Sequence, residues 1–129
     1  SIGVNNQYRG LPISKFETEF ETMLLRAISF AGVKSNHVVV LSIPDWGVTP
    51  FGKQSGRDQS KIAEEINAYN QIKAEICQKH DVTYIDITAQ YRSVGAQPDM
   101  LAADGLHPSA KMYGLWTEKL FDHIKTVNF

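Results

Sequence analysis

The chain of 129 residues carries 13 basic and 14 acidic side chains, for a formal net charge of −1. This balance argues against nucleic-acid binding through a basic stripe and against a polybasic membrane anchor, since both need a surplus of lysine and arginine. One cysteine, Cys77, excludes an intrachain disulfide and a multi-cysteine zinc site, and no apolar run approaches the ~18–20 residues of a membrane-spanning helix.

The first residues, Ser1-Ile2-Gly3-Val4-Asn5-Asn6, begin without a methionine and without a signal-peptide pattern. We interpret residues 1–3 as the end of a strand that leads into a loop. The natural chain is therefore expected to start upstream. No compartment can be predicted, because any targeting segment would lie in that upstream part.

A helix and a buried strand are predicted next. Ser14-Lys15-Phe16-Glu17 fits the S-x-x-E capping box, which predicts a helix start, and Gly32 is the expected stop. Between them the apolar residues recur every three or four positions and predict one buried face: Phe16, Phe20, Met23, Leu24, Ala27, Ile28 and Ala31. His37–Ile43 is a run rich in β-branched residues that is closed by Pro44, as in a strand buried on both faces.

The second half of the chain repeats this alternation. A loop is expected over Pro44–Asp58, a strand over Val82–Ile87, and a long loop from Thr88 to His107. Between the first loop and the strand, a second amphipathic helix carries Ile62, Ile66, Tyr69, Ile72 and Ile76. Pro108 is expected to open a last helix, whose inner face would hold Met112, Trp116, Leu120, Ile124 and Val127.

Strands separated by helices predict a single α/β domain over residues 1–129 with a parallel sheet covered on both faces. Two complete strands are too few to cover three amphipathic helices. The sequence therefore predicts that an N-terminal portion of the domain is missing here. Without it, an open sheet edge and an uncovered apolar face are expected.

The loops that follow the carboxyl ends of parallel strands are where ligands bind in such sheets. In Asp104-Gly105-Leu106-His107-Pro108, the carboxylate can accept the Nδ1–H of the histidine three residues later, which leaves Nε2 free as a general base. The alternative is that Asp104 only caps a turn and that His107 is an exposed residue before a helix.

Gly3-Val4-Asn5 follows the first strand end, where the Asn5 amide could donate to an oxyanion. The alternative is ordinary turn chemistry, which also favours glycine and asparagine. Three loop aromatics, Tyr8, Trp46 and Phe51, could line a substrate pocket or simply anchor their loops.

Taken together, Gly-x-Asn and Asp-x-x-His-Pro resemble the third and fifth conserved blocks of the SGNH hydrolases, the GDSL esterase/lipase superfamily. Residues 40–51 and 104–116 are similar to bacterial members, and the resemblance extends over essentially the whole chain. It implies a flavodoxin-like three-layer sandwich and a serine esterase that needs no metal or organic cofactor. By position, His107 would be the general base, Asp104 its orienter and Asn5 an oxyanion donor, with Gly3 at the turn.

The sequence departs from the family pattern at two places. Asn6 stands where the family usually has aspartate, and no Gly-Asp-Ser-Leu-like block is present. The resemblance therefore places the serine nucleophile and two oxyanion donors in the missing N-terminal segment. Carbohydrate O-acetyl esters, lysophospholipids and short-chain esters all suit the family as substrates.

Two other functions are left open by the residues. A non-catalytic ligand-binding remnant of the same fold would keep a pocket without a nucleophile. A flavodoxin-like phosphate or cofactor binder is disfavoured, because the sequence holds no glycine-rich phosphate loop.

Overall fold

The computed structural model describes residues 1–127. They form helices and two strands, which are joined by short turns. The helices are α1 (Val4–Tyr8), α2 (Ile13–Phe30), α3 (Pro50–Gln54), α4 (Gln59–Lys79), α5 (Thr88–Val94) and α6 (Ala110–Ile124). The strands are β1 (Val39–Leu41) and β2 (Thr83–Ile85). Single 3₁₀ turns lie at Ser35–His37, Trp46–Val48 and Pro98–Met100.

The described chain forms two compact units, each with its own apolar core. The sheet unit contains residues 1–43 and 65–86, and the loop unit contains residues 44–64 and 87–127. The sheet unit buries Phe16, Phe20, Leu24, Val40, Ile43, Ile66, Tyr69, Ile76, Cys77 and Val82. The loop unit buries Trp46, Ile62, Ile87, Tyr91, Met100, Leu101, Met112 and Trp116. A single domain over residues 1–129 stays a prediction.

The two strands pair in parallel, from Val39 opposite Thr83 to Leu41 opposite Ile85. The amide of Ser42 continues the ladder by donating to the Ile85 carbonyl at 3.0 Å. The predicted α/β class with a parallel sheet is thus confirmed. The strands are shorter than the runs predicted for them.

Side chains of α4 form hydrogen bonds with the backbone groups on the side of β1 that faces away from β2. Because Ser42 directs its amide to β2, its neighbours Leu41 and Ile43 direct their polar groups to the opposite side. Asn70 accepts from the Ile43 amide at 2.7 Å and donates to the Ile43 carbonyl at 3.2 Å, while Lys73 Nζ donates to the Leu41 carbonyl at 2.7 Å. A helix thereby replaces a neighbouring strand along this edge.

The expected strand end at residues 1–3 is wrong, because no strand is present there. The Ile2 carbonyl accepts from Lys73 Nζ at 2.9 Å instead of from a strand amide. Gly3 then turns the chain into α1 with a φ of +118°, a conformation that favours glycine. An ideal Cβ at Gly3 would lie 2.8 Å from Ile43 Cδ1 and 2.9 Å from Phe16 Cε2, so no larger side chain fits without rearrangement.

The observed starts of α2 and α6 differ from the predicted ones. Ser14 does not cap α2, which begins at Ile13 after Pro12 without a side-chain cap. Gly32, with a φ of +70°, follows the end of this helix as predicted. Pro108 does not open α6, because it pairs with Leu101 in an antiparallel bridge and leaves the cap to Ser109.

The two long predicted loops contain helices. The segment predicted as loop over Pro44–Asp58 holds a 3₁₀ turn and α3, and the segment from Thr88 to His107 holds α5. Helix α3 begins with Pro50 at its first position, where the missing N–H costs nothing, and its cap Thr49 accepts from the Gly52 amide at 3.0 Å.

Lys73 gives the sheet unit an expected dependence of stability on pH. Its ammonium is fully buried, and burial lowers its pKa from 10.5 to about 8. The unfolded chain therefore binds the additional proton between these two pH values, so this residue makes the free energy of unfolding rise with pH across that interval. The full shift corresponds to about 3 kcal/mol.

Urea titrations at pH 7.5, 8.5 and 9.5 can isolate this contribution as the difference between the wild type and Lys73→Met. We expect the difference in unfolding free energy to change steadily in favour of the wild type as the pH rises. Lys61→Met, on the exposed side of the same helix, is the control. A pH-independent difference for Lys73→Met would contradict the prediction.

Candidate active site

The Asp104–His107 pair lies on a loop of the loop unit that is closed by its own backbone. Leu101 and Pro108 form an antiparallel bridge, and the Ala102 amide donates to the His107 carbonyl at 2.8 Å. Gly105 turns the chain at the loop tip with a φ of +67°. These bonds bring the carboxylate and the imidazole, three residues apart, to the same side of the turn.

Asp104 binds both the imidazole and the turn. Its Oδ2 lies 2.5 Å from Nδ1 of His107, and its Oδ1 accepts from the amides of Leu106 at 3.0 Å and His107 at 2.9 Å. The hydrogen bond from the imidazole, followed by those from the two amides, lowers the pKa of Asp104 to about 2. The carboxylate is therefore ionised at neutral pH and favours the tautomer of His107 that carries its proton on Nδ1.

The two interpretations of the Asp-x-x-His motif are thus compatible, because one carboxylate caps the turn and also binds the imidazole. The His107 side chain is 70% exposed, so its ring is accessible to a small molecule. Since the pKa of Asp104 is depressed, the pair favours the folded state above pH 3.8, and this contribution is lost as the pH falls to about 2.

Two other elements of the loop unit donate hydrogen bonds to backbone carbonyls of this loop. The Phe51 amide, at the start of α3, donates to the Gly105 carbonyl at 3.2 Å. The hydroxyl of Tyr91 on α5 donates to the Leu106 carbonyl at 3.3 Å. Burial, first among the causes, raises the pKa of Tyr91 to about 12, so its hydroxyl remains a donor over the physiological range.

The loop unit also contains a buried ion pair, which the sequence patterns did not predict. Asp45, 2% exposed, accepts from the Gly47 amide at 2.9 Å and from Arg92 Nε at 2.7 Å. Arg92 also donates to the Ala63 carbonyl at 3.2 Å. Arg92 directly follows Tyr91 on α5, so the same helix supports the 3₁₀ turn after Asp45 and the loop of His107.

The three candidate pocket aromatics lie in different surroundings. Trp46 is buried, with its ring 6.2 Å from that of Phe51, and the Arg57 guanidinium lies 5.3 Å from its ring centre. Trp46 therefore anchors its loop. Phe51 is half-buried, and Tyr8, in the sheet unit, is 48% exposed. A substrate-binding role for these aromatics stays a prediction.

Asn5 lies on α1 in the sheet unit, one turn after Gly3, and it is exposed. The two following residues fasten this helix to its neighbours. Asn6 Nδ2 donates to Glu19 Oε2 on α2 at 2.9 Å, and Gln7 Nε2 donates to Glu65 Oε2 on α4 at 2.7 Å. Gln7 is 1% exposed, and no sequence motif marked it.

The bond between Asn6 and Glu19 gives a physical reason for an asparagine at this position, where the resemblance leads us to expect aspartate. An amide can donate to the Glu19 carboxylate, whereas an ionised aspartate has no proton to donate and would be repelled by it. The asparagine at position 6 is therefore matched to Glu19 on α2.

The structure brings Asp104 and His107 into direct contact in the loop unit and places Gly3 and Asn5 together at the start of α1 in the sheet unit. Over residues 1–127, no three His, Cys, Asp or Glu side chains are grouped as metal ligands would be. None of the helices in the same range is both long and apolar enough to cross a membrane.

The comparison with protein families bears on the whole of this candidate site. The model of the family described as GDSL-like Lipase/Acylhydrolase matches residues 1–115, which include Asn5, Asp104 and His107. The comparison with curated proteins found no match.

Proposed function

Since this chain belongs to the GDSL-like lipase/acylhydrolase family, we propose that it is part of a serine esterase that hydrolyses carboxylic esters. The observation that carries the proposal is the bond between Asp104 and Nδ1 of the exposed His107. A histidine held in this way can accept a proton at Nε2 from a nucleophile and return it to a leaving group.

The reaction would proceed in two steps that use the same histidine. A serine Oγ attacks the ester carbonyl while its proton passes to His107 Nε2, and the tetrahedral intermediate then expels the alcohol, which takes that proton. In the second step His107 removes a proton from water, and the resulting hydroxide attacks the acyl-serine. The carboxylic acid leaves, and the serine recovers its proton from His107.

Asn5 is proposed to donate from its side-chain amide to the negative oxygen that develops in both steps. Its support is its position after Gly3, as in the family's Gly-x-Asn block, together with its exposure on α1. Such a donor acts on the oxyanion and not on the ground-state carbonyl, so it raises kcat. Carbohydrate O-acetyl esters, lysophospholipids and short-chain esters remain the candidate substrates.

The serine nucleophile is proposed to lie upstream of Ser1, in a segment that also covers the sheet unit. An open cavity of about 420 Å³ in that unit supports this second point, since Ile2, Phe16, Phe20 and Met23 give it apolar walls. Met23 is 51% exposed there. An upstream segment packed into this cavity would bury its apolar walls.

The hydrogen bonds of the serines favour an upstream nucleophile or the non-catalytic alternative. Among residues 1–127, no serine is hydrogen-bonded to the His107 imidazole. The Ser42 hydroxyl donates to Asp86 Oδ1 at 3.0 Å, and the Ser109 hydroxyl donates to the Asp99 carbonyl at 2.7 Å. A chain without an upstream serine would be a ligand-binding remnant of the fold.

A serine-directed fluorophosphonate distinguishes these two functions in the natural gene product that contains this sequence. We expect one equivalent of the reagent to bind, loss of p-nitrophenyl acetate hydrolysis in parallel, and a labelled serine peptide from outside residues 1–129. Protein that neither reacts with the reagent nor hydrolyses the ester would support the ligand-binding alternative and remove the esterase proposal.

A further inference from the structure

Helix α1, which carries Asn5, has too few residues to hold its own conformation. Five residues form little more than one turn, and isolated helices of this length are unstable in water. The position of Asn5 must therefore come from contacts between α1 and longer elements of the sheet unit.

Three such contacts surround Asn5 in the sequence. At the start of the helix, Gly3 lies so close to Ile43 and Phe16 that even a methyl group is excluded. After Asn5, the side chains at positions 6 and 7 donate to the carboxylates of α2 and α4. Because these two bonds run to different helices, they fix the rotation of α1 about its own axis as well as its place.

The Gln7 contact is the stronger of the two side-chain bonds. The Gln7 side chain is almost fully buried and its bond to Glu65 is 2.7 Å long, whereas the bond of Asn6 to Glu19 is 2.9 Å long and exposed to water. A hydrogen bond to a carboxylate gains strength away from water.

We propose that Gln7, through Glu65, is a positioning residue for the oxyanion donor Asn5. The inference rests on the function proposed above. Among residues 1–127 the Asn5 side chain has no hydrogen-bond partner, so its direction follows the orientation of α1. Gln7 is itself buried and acts on the reaction only through the placement of Asn5. Gln7→Leu should therefore misplace the donor while the Asp104–His107 pair stays intact.

The test is a double-mutant cycle on hydrolysis of p-nitrophenyl acetate by the natural gene product, with variants first shown to unfold cooperatively. Gln7→Leu is expected to lower kcat about 10- to 100-fold with little change in KM, because a misplaced oxyanion donor is lost only in the transition state. In an Asn5→Ala background the same change should lower kcat less than about twofold, because its effect passes through Asn5.

Two further variants serve as controls. Gln71→Leu removes an amide–carboxylate bond of the same kind, from Gln71 Nε2 to Glu75 Oε1 at 2.9 Å, on the exposed surface of α4, and should leave kcat unchanged. Glu65→Gln keeps an oxygen acceptor for Gln7, so its kcat should lie between those of the wild type and Gln7→Leu.

The outcomes separate the two proposals. Multiplicative effects of Gln7→Leu and Asn5→Ala would show that Gln7 acts independently of Asn5 and would overturn the inference. If the wild type hydrolyses no ester, the esterase proposal fails, and the side-chain amide signals of Asn5 in ¹⁵N–¹H spectra decide the positioning role. A clear shift of these signals in Gln7→Leu, absent in Gln71→Leu, supports it, and unchanged signals overturn it.

Discussion

Replacing His107 with alanine in the natural gene product is expected to lower kcat for p-nitrophenyl acetate by about 10⁴-fold, with little change in KM. The imidazole would transfer the proton in both steps, and the sequence places no second histidine near the Asp104 loop. Since the His107 side chain is 70% exposed, its removal should change the free energy of unfolding by less than about 0.5 kcal/mol.

Asp104→Asn is the control that separates proton transfer from imidazole orientation. The asparagine oxygen can still accept from the amides of Leu106 and His107, which preserves the turn. Its NH₂ group, however, would face Nδ1 and favour the tautomer that leaves no free lone pair on Nε2. We expect kcat to fall about 10³- to 10⁴-fold. Activity that survives His107→Ala would remove His107 as the general base, and activity that survives Asp104→Asn would remove Asp104 as the residue that orients it.

The largest loss of stability is expected for Arg92→Met. Asp45 is 2% exposed, and Arg92 Nε at 2.7 Å is the cation that faces its Oδ2. Removing the arginine leaves a buried carboxylate with only the Gly47 amide, which we expect to lower the free energy of unfolding by about 3 kcal/mol. Urea unfolding at pH 7 measures this value.

Two further variants test whether the loss arises from the unpaired charge. Asp45→Asn combined with Arg92→Met should recover much of the stability, because a neutral amide is less costly to bury than a carboxylate. Lys111→Met breaks the exposed pair between Lys111 and Asp99, and it should cost less than about 1 kcal/mol. Equal losses for Arg92→Met and Lys111→Met would contradict the assignment of Asp45–Arg92 as a buried pair.

The sequence predicted those elements whose pattern is long and periodic. The apolar residues predicted for α2 and α4 recur at helical spacing over about four turns in each helix. Seven of these twelve residues are buried and four are half-buried, whereas Met23 is exposed, contrary to the prediction. The run from Val39 to Leu41 is rich in β-branched residues, and it pairs in parallel with Thr83–Ile85. The bond between Asp104 and His107 could also be anticipated, since residues three apart on a turn are within reach of each other.

The rest depends on contacts between residues far apart in the chain. Helices α3 and α5 have five and seven residues, too few for a recognisable period. Gln7 and Glu65 are 58 positions apart, and Asp45 and Arg92 are 47 apart, so no local motif connects them. A lysine was not expected at a core position, but Lys73 supplies the backbone partner that residues 1–3 lack as a strand.

The enclosure of Asp104 and His107 within one self-closed loop has a consequence for how such a sequence can diverge. All the bonds that join this pair, and the bridge that closes the loop, lie between residues 101 and 108. Insertions and deletions that spare the two outside contacts of this loop, from the Phe51 amide and the Tyr91 hydroxyl, leave these bonds intact, so the pair can be inherited as one short segment. Asn5 depends on contacts between distant parts of the chain, because its helix is bonded to Glu19 and Glu65. Changes at positions 6 and 7 must therefore be matched by changes at positions 19 and 65.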